Sequence, residues 1–237
     1  LSSRREYTKA SPFVVLLGSG NHEVTSSWTN PDGRVCQTNI GFTRSNITFI
    51  GQGIGETAIL GGIGITNVQN ITLKQLTVTN SGIKMYSAKV ELVDVAVVHC
   101  GASGIYIGSP RFGASQLVAT RCEMSNNGGA GLCIINHDSS KSSTTIHVCL
   151  KNCISHHNSG NGIHVYGNGV VNMHGNITAI HSNQVNGIYA IQYPSKVIIH
   201  LPSHHNTFYN NGGNNRVARG GATITNVEDE DEDEEDN

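Results

Sequence analysis

The stretch Gly104-Ile105-Tyr106-Ile107 carries the pattern that decides the fold. A glycine is followed by a branched apolar residue, a variable residue and a second apolar residue, and this phrase returns at intervals of 20, 22, 27, 31 and 25 residues. Repeats of this length are typical of solenoid proteins. The alternation within the phrase has period two, which predicts a short strand with one buried face. The six copies begin at Gly62, Gly82, Gly104, Gly131, Gly162 and Gly187.

Further short apolar stretches precede each phrase and contribute one or two more strands to each turn of the chain. Ile71-Thr72-Leu73 and Val171-Asn172-Met173 are examples of the first strand, and Val95-Ala96-Val97 is an example of the next. Such a unit cannot bury its apolar face alone, so neighbours must stack in parallel. The predicted fold class is all-β: a right-handed single-stranded parallel β-helix, or β-solenoid, of roughly seven coils spaced about 4.8 Å apart, with a disordered acidic C-terminal tail.

Polar residues recur at the corners between these strands. One set lies five residues before the apolar residue of the phrase, and a second set lies two residues before it. Asn tolerates the left-handed backbone of a sharp bend, and its amide can bond to the equivalent Asn of the next coil. We therefore expect ladders of stacked corner side chains. The first set is Cys100, Asn127, Asn158 and Asn183, and the second is Ser103, Ala130, Asn161 and Asn186.

The domain organisation follows from these repeats. We predict an N-terminal cap over residues 1–11, a β-helix domain over residues 12–221, and an acidic tail over residues 222–237 that is disordered from about residue 228. Terminal coils need a cover because their bare edges would otherwise pair with another chain. Residues 21–45 are expected to form a loop insertion in the first coil.

Charge is divided unevenly along the chain. Residues 228–236 are nine consecutive acids, and the other eight acids face fifteen Lys and Arg, so the rest of the chain has a formal charge of +7. A basic body suits an anionic partner such as an acidic polysaccharide, unless the tail folds back and masks it. A nucleic-acid partner is disfavoured because no Arg-rich stripe interleaved with aromatic residues is present. No apolar run has the length of a transmembrane segment, and the oligomeric state stays open.

The six cysteines have neither metal-site nor redox spacing. Cys122 and Cys153 occupy matching inward positions in adjacent coils, which suits either a disulfide or a ladder of small core residues. The sequons at Asn46, Asn70 and Asn176 favour a secreted protein, whereas unpaired thiols and an acidic tail favour the cell interior. The extracellular assignment is slightly favoured.

Longer segments carry a resemblance to a known superfamily. They include Leu-Leu-Gly-Ser-Gly-Asn-His at 16–22, Ile-Thr-Phe-Ile-Gly-Gln-Gly at 47–53 and His-His-Asn-Ser-Gly-Asn-Gly-Ile-His-Val at 156–165. Over roughly residues 12–217 the chain resembles the right-handed parallel β-helix proteins of the pectin-lyase-like group, and especially their carbohydrate-binding and sugar-hydrolase repeats. The resemblance implies the fold strongly and the activity weakly. Members of the superfamily include polysaccharide lyases, hydrolases, epimerases and modules of intracellular adaptor proteins.

Alternation places one residue of each phrase outward, and stacking should align these residues in a column. The column contains Lys84, Tyr106, Cys133, His164 and Tyr189. Aromatic faces stack on the C–H faces of sugars, Tyr and His tips bond hydroxyls, and cations hold carboxylates. The alternative is an ordinary exposed β surface. The candidate ligand-binding residues are Lys84, Arg111, Tyr166, Lys141 and Tyr193, and the candidate catalytic residues are Tyr106, His164, Tyr189, His137 and Asp138.

The candidate chemistries differ in what they require. Glycoside hydrolysis normally needs two carboxylates at one cleft, and only Asp138 lies beside the column, so hydrolysis is disfavoured. Elimination or C5 epimerisation of a uronate needs a base, an acid and a cation, which the Tyr and His residues with Lys84, Arg111 or Lys141 would supply. The Asp-Pro-His motif of alginate epimerases and the Asp-rich calcium cluster of pectate lyases are absent. No cofactor is therefore expected; calcium stays open as an alternative, but no motif for it is present.

The sequence favours a module that binds a glycan or a protein through the column. A uronate polysaccharide lyase or C5-epimerase is the first alternative, and an intracellular scaffold or adaptor module is the second.

Overall fold

The computed structural model describes residues 7–109, 113–137, 144–201 and 207–228. Its regular structure in these residues consists of 23 strands. Nearly all of them join one continuous sheet in which each strand pairs in parallel with a strand of the next coil. The strands are β1 (Phe13–Leu16), β2 (Gly20–Glu23), β3 (Ser27–Thr29), β4 (Val35–Gln37), β5 (Asn39–Phe42), β6 (Ile47–Ile50), β7 (Thr57–Thr66), β8 (Ile71–Tyr86), β9 (Lys89–Cys100), β10 (Ile105–Ile107), β11 (Gln116–Thr120), β12 (Glu123–Ser125), β13 (Leu132–Asn136), β14 (Ile146–Lys151), β15 (Ile154–His156), β16 (Ile163–Gly167), β17 (Gly169–His174), β18 (Ala179–His181), β19 (Ile188–Ile191), β20 (Lys196–Leu201), β21 (Thr207–Tyr209), β22 (Arg216–Arg219) and β23 (Thr223–Glu228).

The strand pairings divide the sheet into three faces. Face A holds the Gly-Ile phrases and consists of β5, the last parts of β7 and β8, and β10, β13, β16, β19 and β22. Face B consists of β1, β6, the first parts of β8 and β9, and β11, β14, β17, β20 and β23. Face C consists of β2, the first part of β7, the middle of β8, the last part of β9, and β12, β15, β18 and β21.

The chain therefore has the parallel β-helix fold. Each coil visits faces B, C and A in turn, and the described residues complete eight such coils. The expected number was about seven, and the difference arises because residues 13–42 already form a complete coil. The predicted right-handed winding is the sense that parallel crossover connections take in about 98% of cases.

The interior is a stack of apolar side chains in register. The apolar residues that follow the phrase glycines are 0% exposed in all six copies. In the first five copies the strand neighbour in the next coil is again apolar, so these side chains are covered above and below. The neighbour of Ile188 in the next coil is Arg216. The confirmed set is Ile63, Ile83, Ile105, Leu132, Ile163 and Ile188.

The bend from face B to face C is made by one left-handed residue per coil. Gln75, Asp94, Arg121 and Asn152 all have φ between 51° and 54°. At this corner one ion pair joins two adjacent coils. Arg121 Nε and Nη2 donate to the two carboxylate oxygens of Asp94 at 2.6 and 2.7 Å. The hydrogen bond from Arg121 holds the pKa of the Asp94 carboxyl below its usual value.

The predicted asparagine ladder is present at the bend from face C to face A. Asn127, Asn158 and Asn183 are 0–1% exposed, and each donates its side-chain amide to the next ladder oxygen at 2.9–3.0 Å. The last of these acceptors is Asn211 Oδ1, which extends the ladder by one coil. The left-handed backbone belongs to the preceding residue of each coil, for example Asn126 and His157, rather than to the ladder residue itself.

The second corner set also forms contacts between coils. Asn186 donates its side-chain amide to Asn161 Oδ1 at 3.0 Å, and the backbone amide of Ala130 donates to Ser103 Oγ at 3.2 Å. These bonds fix the edge at which face A begins.

The ends of the domain differ from the predicted boundaries. Of the expected insertion 21–45, residues 21–23 belong to β2 and residues 39–42 belong to β5. The stretch between these two strands leaves the coil as the antiparallel hairpin β3–β4. Residues 223–228 form β23, which pairs with β20 along its whole length, so the β-helix extends beyond residue 221. Residues 1–6 of the predicted cap and 229–237 of the predicted tail lie outside the described residues.

All six cysteines are free thiols. Cys122 and Cys153 lie in adjacent coils and are both 2% exposed, and the Cys153 thiol donates to the Ala119 carbonyl oxygen at 3.3 Å. A hydrogen bond with the Cys153 side chain, together with burial, raises the pKa of Cys122, so its thiol stays protonated. The pair is a ladder of small core residues in this structure.

The buried ladder predicts a large effect of Asn158→Ala. The substitution removes the side-chain donor to the Met124 carbonyl and one of the two acceptors of the Asn127 side-chain amide. Each unsatisfied buried group costs about 1–3 kcal/mol, so we expect the free energy of unfolding to fall by about 3 kcal/mol. Chemical denaturation measures this change. Asn21→Ala, at an exposed position of β2, is the control and should change stability by less than about 0.5 kcal/mol. Equal effects of the two substitutions would contradict the ladder's contribution.

Candidate functional site

The outward column predicted on face A is present in the described strands. Lys84 pairs in register with Tyr106, Tyr106 with Cys133, Cys133 with His164, and His164 with Tyr189. Cys133 is 8% exposed, and the other four side chains are half-buried. The column therefore combines partly accessible rings with a small residue at its centre, in five consecutive coils.

A tryptophan extends this column toward the N-terminal end. The two preceding column positions are Gly41 and Gly64, which lie in register with each other and with Lys84. The hairpin β3–β4 places Trp28 over both glycines, where the ring is only 9% exposed. A Cβ atom at Gly64 would lie 2.1 Å from Trp28 Cδ2, so this position must be glycine for the ring to pack.

Tyr86 connects the tryptophan to the column. Its ring centroid lies 6.1 Å from that of Trp28 and 6.0 Å from that of Tyr106. It covers Gly108, where an added Cβ would lie 2.3 Å from Tyr86 Cε1. Burial raises the pKa of the Tyr86 hydroxyl, and a hydrogen bond with the Asn30 side chain from the hairpin partly offsets this rise. Trp28, Tyr86 and Tyr106 thus form a continuous aromatic row.

Trp28 and Tyr86 were missed as site residues in the sequence analysis. A signal for them exists in the sequence, since Gly41 and Gly64 leave two adjacent outward positions without side chains. Such a gap on a strand face is typical of a close approach by another part of the chain. Neither glycine identifies the residue that fills the gap.

His164 lies between Cys133 and Tyr189 in the column. Its ring centroid lies 5.4 Å from that of Tyr189. Burial lowers the pKa of the imidazole below its usual 6.5, so His164 is neutral at pH 7. Its Nε2 atom is buried and has no hydrogen-bond partner among the described residues.

The neighbouring hydroxyl and thiol are also held in their neutral forms. Burial raises the pKa of Tyr106 to about 12, with a further contribution from Tyr86. Burial likewise raises the pKa of the Cys133 thiol to about 11, against a hydrogen bond with Ser103. The column is therefore an uncharged surface between the Lys84 ammonium and the far coils, and its polar atoms are hydrogen-bonding groups rather than ions.

The remaining candidate residues lie at the sides of the column. Tyr166 pairs in register with Ile135 and Ile191, and its ring centroid is 5.1 Å from that of the exposed His137. Tyr193 is 70% exposed at the bend after β19. Three further candidates, Arg111, Asp138 and Lys141, lie outside the described residues. The structure thus brings one candidate pair, His137 and Tyr166, together beside the column.

A second set of stacked rings lies on face C. His156 is stacked on His181 at 4.9 Å, and His181 is stacked on Tyr209 at 4.5 Å. His156 Nε2 also lies 3.1 Å from Glu123 Oε1. That hydrogen bond and one with Ser125 hold the pKa of Glu123 below its usual value. Ring contacts between coils therefore occur on face C as well as on face A.

One groove among the described residues lies away from face A. It has a volume of about 520 Å³ and lies on face B, where Thr48, Thr72 and Glu91 line it. A smaller cavity of about 210 Å³ lies near the N-terminal end, beside Leu17 and Ile59.

No group of three or more His, Cys, Asp or Glu side chains in the described part of the chain is arranged to hold a metal ion. The same residues include no helix long and apolar enough to cross a membrane.

Comparisons with known proteins give distant structural matches. No protein-family model matches the chain, and no curated protein matches it. Among solved structures, ORF18 of Geobacillus virus E2 matches 92% of this chain with 11% identity and a TM-score of 0.45, and the chain spans 53% of the viral protein's length. The A-module of the mannuronan C-5 epimerase AlgE4 of Azotobacter vinelandii matches 91% of this chain and 89% of its own, with 11% identity and a TM-score of 0.29. At these values the chemistry of the site has to be argued from its own residues.

The packing of Trp28 over Gly64 predicts a change in fluorescence. Trp28 is the single tryptophan of the chain, so its emission reports this contact alone. In Gly64→Ala the new methyl group would displace the ring, and we expect the emission maximum to shift toward that of exposed tryptophan. Gly18→Ala is the matched control, because a Cβ there meets nothing within 4 Å. An unchanged spectrum in Gly64→Ala would show that the ring packs elsewhere.

Because His164 is half-buried, we predict that the pKa of its imidazole is lowered. We expect an imidazole pKa below 6.5 in the native protein and a rise toward 6.5 in Tyr189→Ala, which uncovers the ring. Because the folded-state pKa is depressed, the stability from neutral His164 is fully present above about pH 6.5 and is lost as pH falls toward the folded-state pKa. Proton NMR of the histidine Cε1–H signals measures the shift, with His164→Gln as the assignment control. An unshifted pKa in the native protein would contradict the burial.

Proposed function

We propose that the protein binds a linear carbohydrate lengthwise along face A. The observation that carries the proposal is the register of Tyr106, His164 and Tyr189, which presents partly exposed rings on one surface. Coils are spaced about 4.8 Å apart, so Tyr106 and Tyr189 are separated by about 14 Å. A surface of this length suits several linked sugar rings, whose C–H faces stack on aromatic rings while their hydroxyls bond the Tyr and His tips.

The charges at the two ends of this surface favour an acidic carbohydrate. Lys84 lies at the N-terminal end of the column, beside Tyr86 and Tyr106. Arg219 is exposed near the C-terminal end and pairs in register with Ile191 in the neighbouring column. Both cations are suited to carboxylates, and the protonated Tyr106 between them adds a hydrogen-bonding group without a competing charge. The ligand class we propose is therefore a polysaccharide with carboxylated sugar units.

The states of the titratable groups favour binding over catalysis. A general base needs a pKa near the working pH and must be within reach of the proton that it removes. Tyr106, with a pKa of about 12, stays protonated at neutral pH. His164 is neutral, but its Nε2 atom is buried. Neither group is therefore suited to abstract a proton from a bound sugar.

A uronate lyase or C5-epimerase is the second candidate, and the neutral imidazole of His164 favours it. In that reaction the imidazole would accept the C5 proton, Tyr106 would serve as the acid, and Lys84 would neutralise the carboxylate. Incubation with alginate and with pectate tests it: a lyase generates absorbance from unsaturated uronate, and an epimerase changes the sugar composition seen by NMR. We expect neither change, and activity lost in His164→Gln would support the second candidate instead.

The proposed binding surface predicts the effect of Tyr189→Ala. Removal of one stacking ring should weaken the binding of alginate or pectate oligosaccharides about tenfold, as measured by isothermal titration calorimetry. Tyr209→Ala removes a partly exposed ring of face C and is the matched control, which should bind as the native protein does. Equal losses in both variants would indicate a general effect on folding. Absence of retention of the native protein on an array of acidic and neutral glycans would contradict the proposal.

A further inference from the structure

We infer that the groove on face B is a second carbohydrate site, specific for a sugar unit with a single carboxylate. The inference rests on the proposed function for the class of ligand, but it uses a different face and none of the column residues. The groove has a volume of about 520 Å³. This value is within the range of about 300–1,000 Å³ that is usual for sites of small ligands.

The floor of the groove comes from four adjacent coils. Thr48, Thr72, Glu91 and Val118 are outward residues of face B and lie in register with one another. Thr48 is 9% exposed, whereas Glu91 is exposed and accepts a hydrogen bond from the Thr72 hydroxyl at 3.5 Å. The strands hold these side chains in one line, so the floor is preformed rather than assembled by a loop.

The N-terminal segment forms one wall, through Lys9 and Pro12, and hydrogen bonds hold it in place. The side-chain amide of Asn46 donates to the Tyr7 carbonyl oxygen at 2.7 Å, and that of Asn70 donates to Asn46 Oδ1 at 2.8 Å. The wall is therefore tied to the same coils as the floor.

The chemistry of the lining matches a sugar acid better than a phosphate or a neutral sugar. Amide and hydroxyl groups dominate the polar lining, and they suit a ligand rich in hydroxyls. Two cations, Lys9 and Lys89, face one anion, Glu91, which leaves one net positive charge for a single carboxylate. Neither lysine forms an ion pair within the described residues. The amide and hydroxyl lining consists of Asn46, Gln69, Asn70, Gln116, Thr48 and Thr72.

The chain offers a matched control for the charge of Lys89. Lys89 and Lys196 occupy equivalent outward positions of face B, and both are exposed. The strand register connects them through the intervening coils by way of Gln116, His147 and Val170. Lys196 thus has the same place in the coil and the same charge, but it lies several coils from the groove.

The test is isothermal titration of the full chain with trigalacturonate and with its methyl ester, which removes the charge and keeps the sugar rings. We expect Lys89→Gln and Lys9→Gln each to weaken trigalacturonate binding about tenfold, while Lys196→Gln has no effect. Binding of the ester should be about equal in all three variants. Circular dichroism and thermal unfolding establish that each variant is folded.

The outcomes separate this site from the one on face A. Binding that is weakened by Lys89→Gln and by Lys9→Gln, and retained in Tyr189→Ala, supports the groove even where the face A proposal fails. Binding that depends on Tyr189 alone overturns the groove and leaves face A standing. Equal losses in Lys89→Gln and Lys196→Gln reveal a nonspecific charge effect and overturn the groove, as does absence of trigalacturonate binding to the native protein at millimolar concentration.

Discussion

Each coil of this protein is stabilised by the coil next to it, which covers its apolar residues and completes its hydrogen bonds. A three-strand coil exposes both backbone edges and one apolar face, so it has little stability alone. The parallel register removes both costs at once, because the same strand pairing that satisfies the backbone places Ile105 over Ile83 and under Leu132. At the corner the backbone ladder is interrupted. There the buried side-chain amides of Asn127, Asn158 and Asn183 form the hydrogen bonds between coils.

That register is the part of the structure that could be predicted from the sequence. The Gly-Ile phrase recurs with different spacings, yet its outward residue is always the third of the phrase, so loop length does not affect which residues align. The column from Lys84 to Tyr189 and the corner ladders follow from this. The hairpin that carries Trp28 does not follow, because its position depends on packing against Gly41 and Gly64 rather than on a repeat. β23 was missed for a related reason: residues 223–228 adjoin an acidic run, and their pairing with β20 outweighs that local signal.

The chemistry of face A was only partly accessible from residue types. Tyr and His in a column are compatible with binding or with proton transfer, and the difference depends on burial. Half-buried positions raise the pKa of Tyr106 and lower that of His164, so both groups are neutral at pH 7. The same packing that aligns the rings therefore disfavours the negative charge of a Tyr106 phenolate and the positive charge of a His164 imidazolium. A sequence pattern does not contain this effect, since it arises from neighbours such as Tyr86 that belong to other coils.

A β-helix also restricts how its surfaces can be used together. Strands of one coil contribute to faces A and B at once: Lys84 and Thr72 are both on β8, separated by the bends of a single turn. Neither face can shift relative to the other without breaking the strand ladder, so the spacing between the column and the groove is fixed by the fold. An acidic polysaccharide that contacts both would have to bend around the helix, whereas two chains could each occupy one face. The rigid register therefore keeps the column on face A and the groove on face B as two separate surfaces.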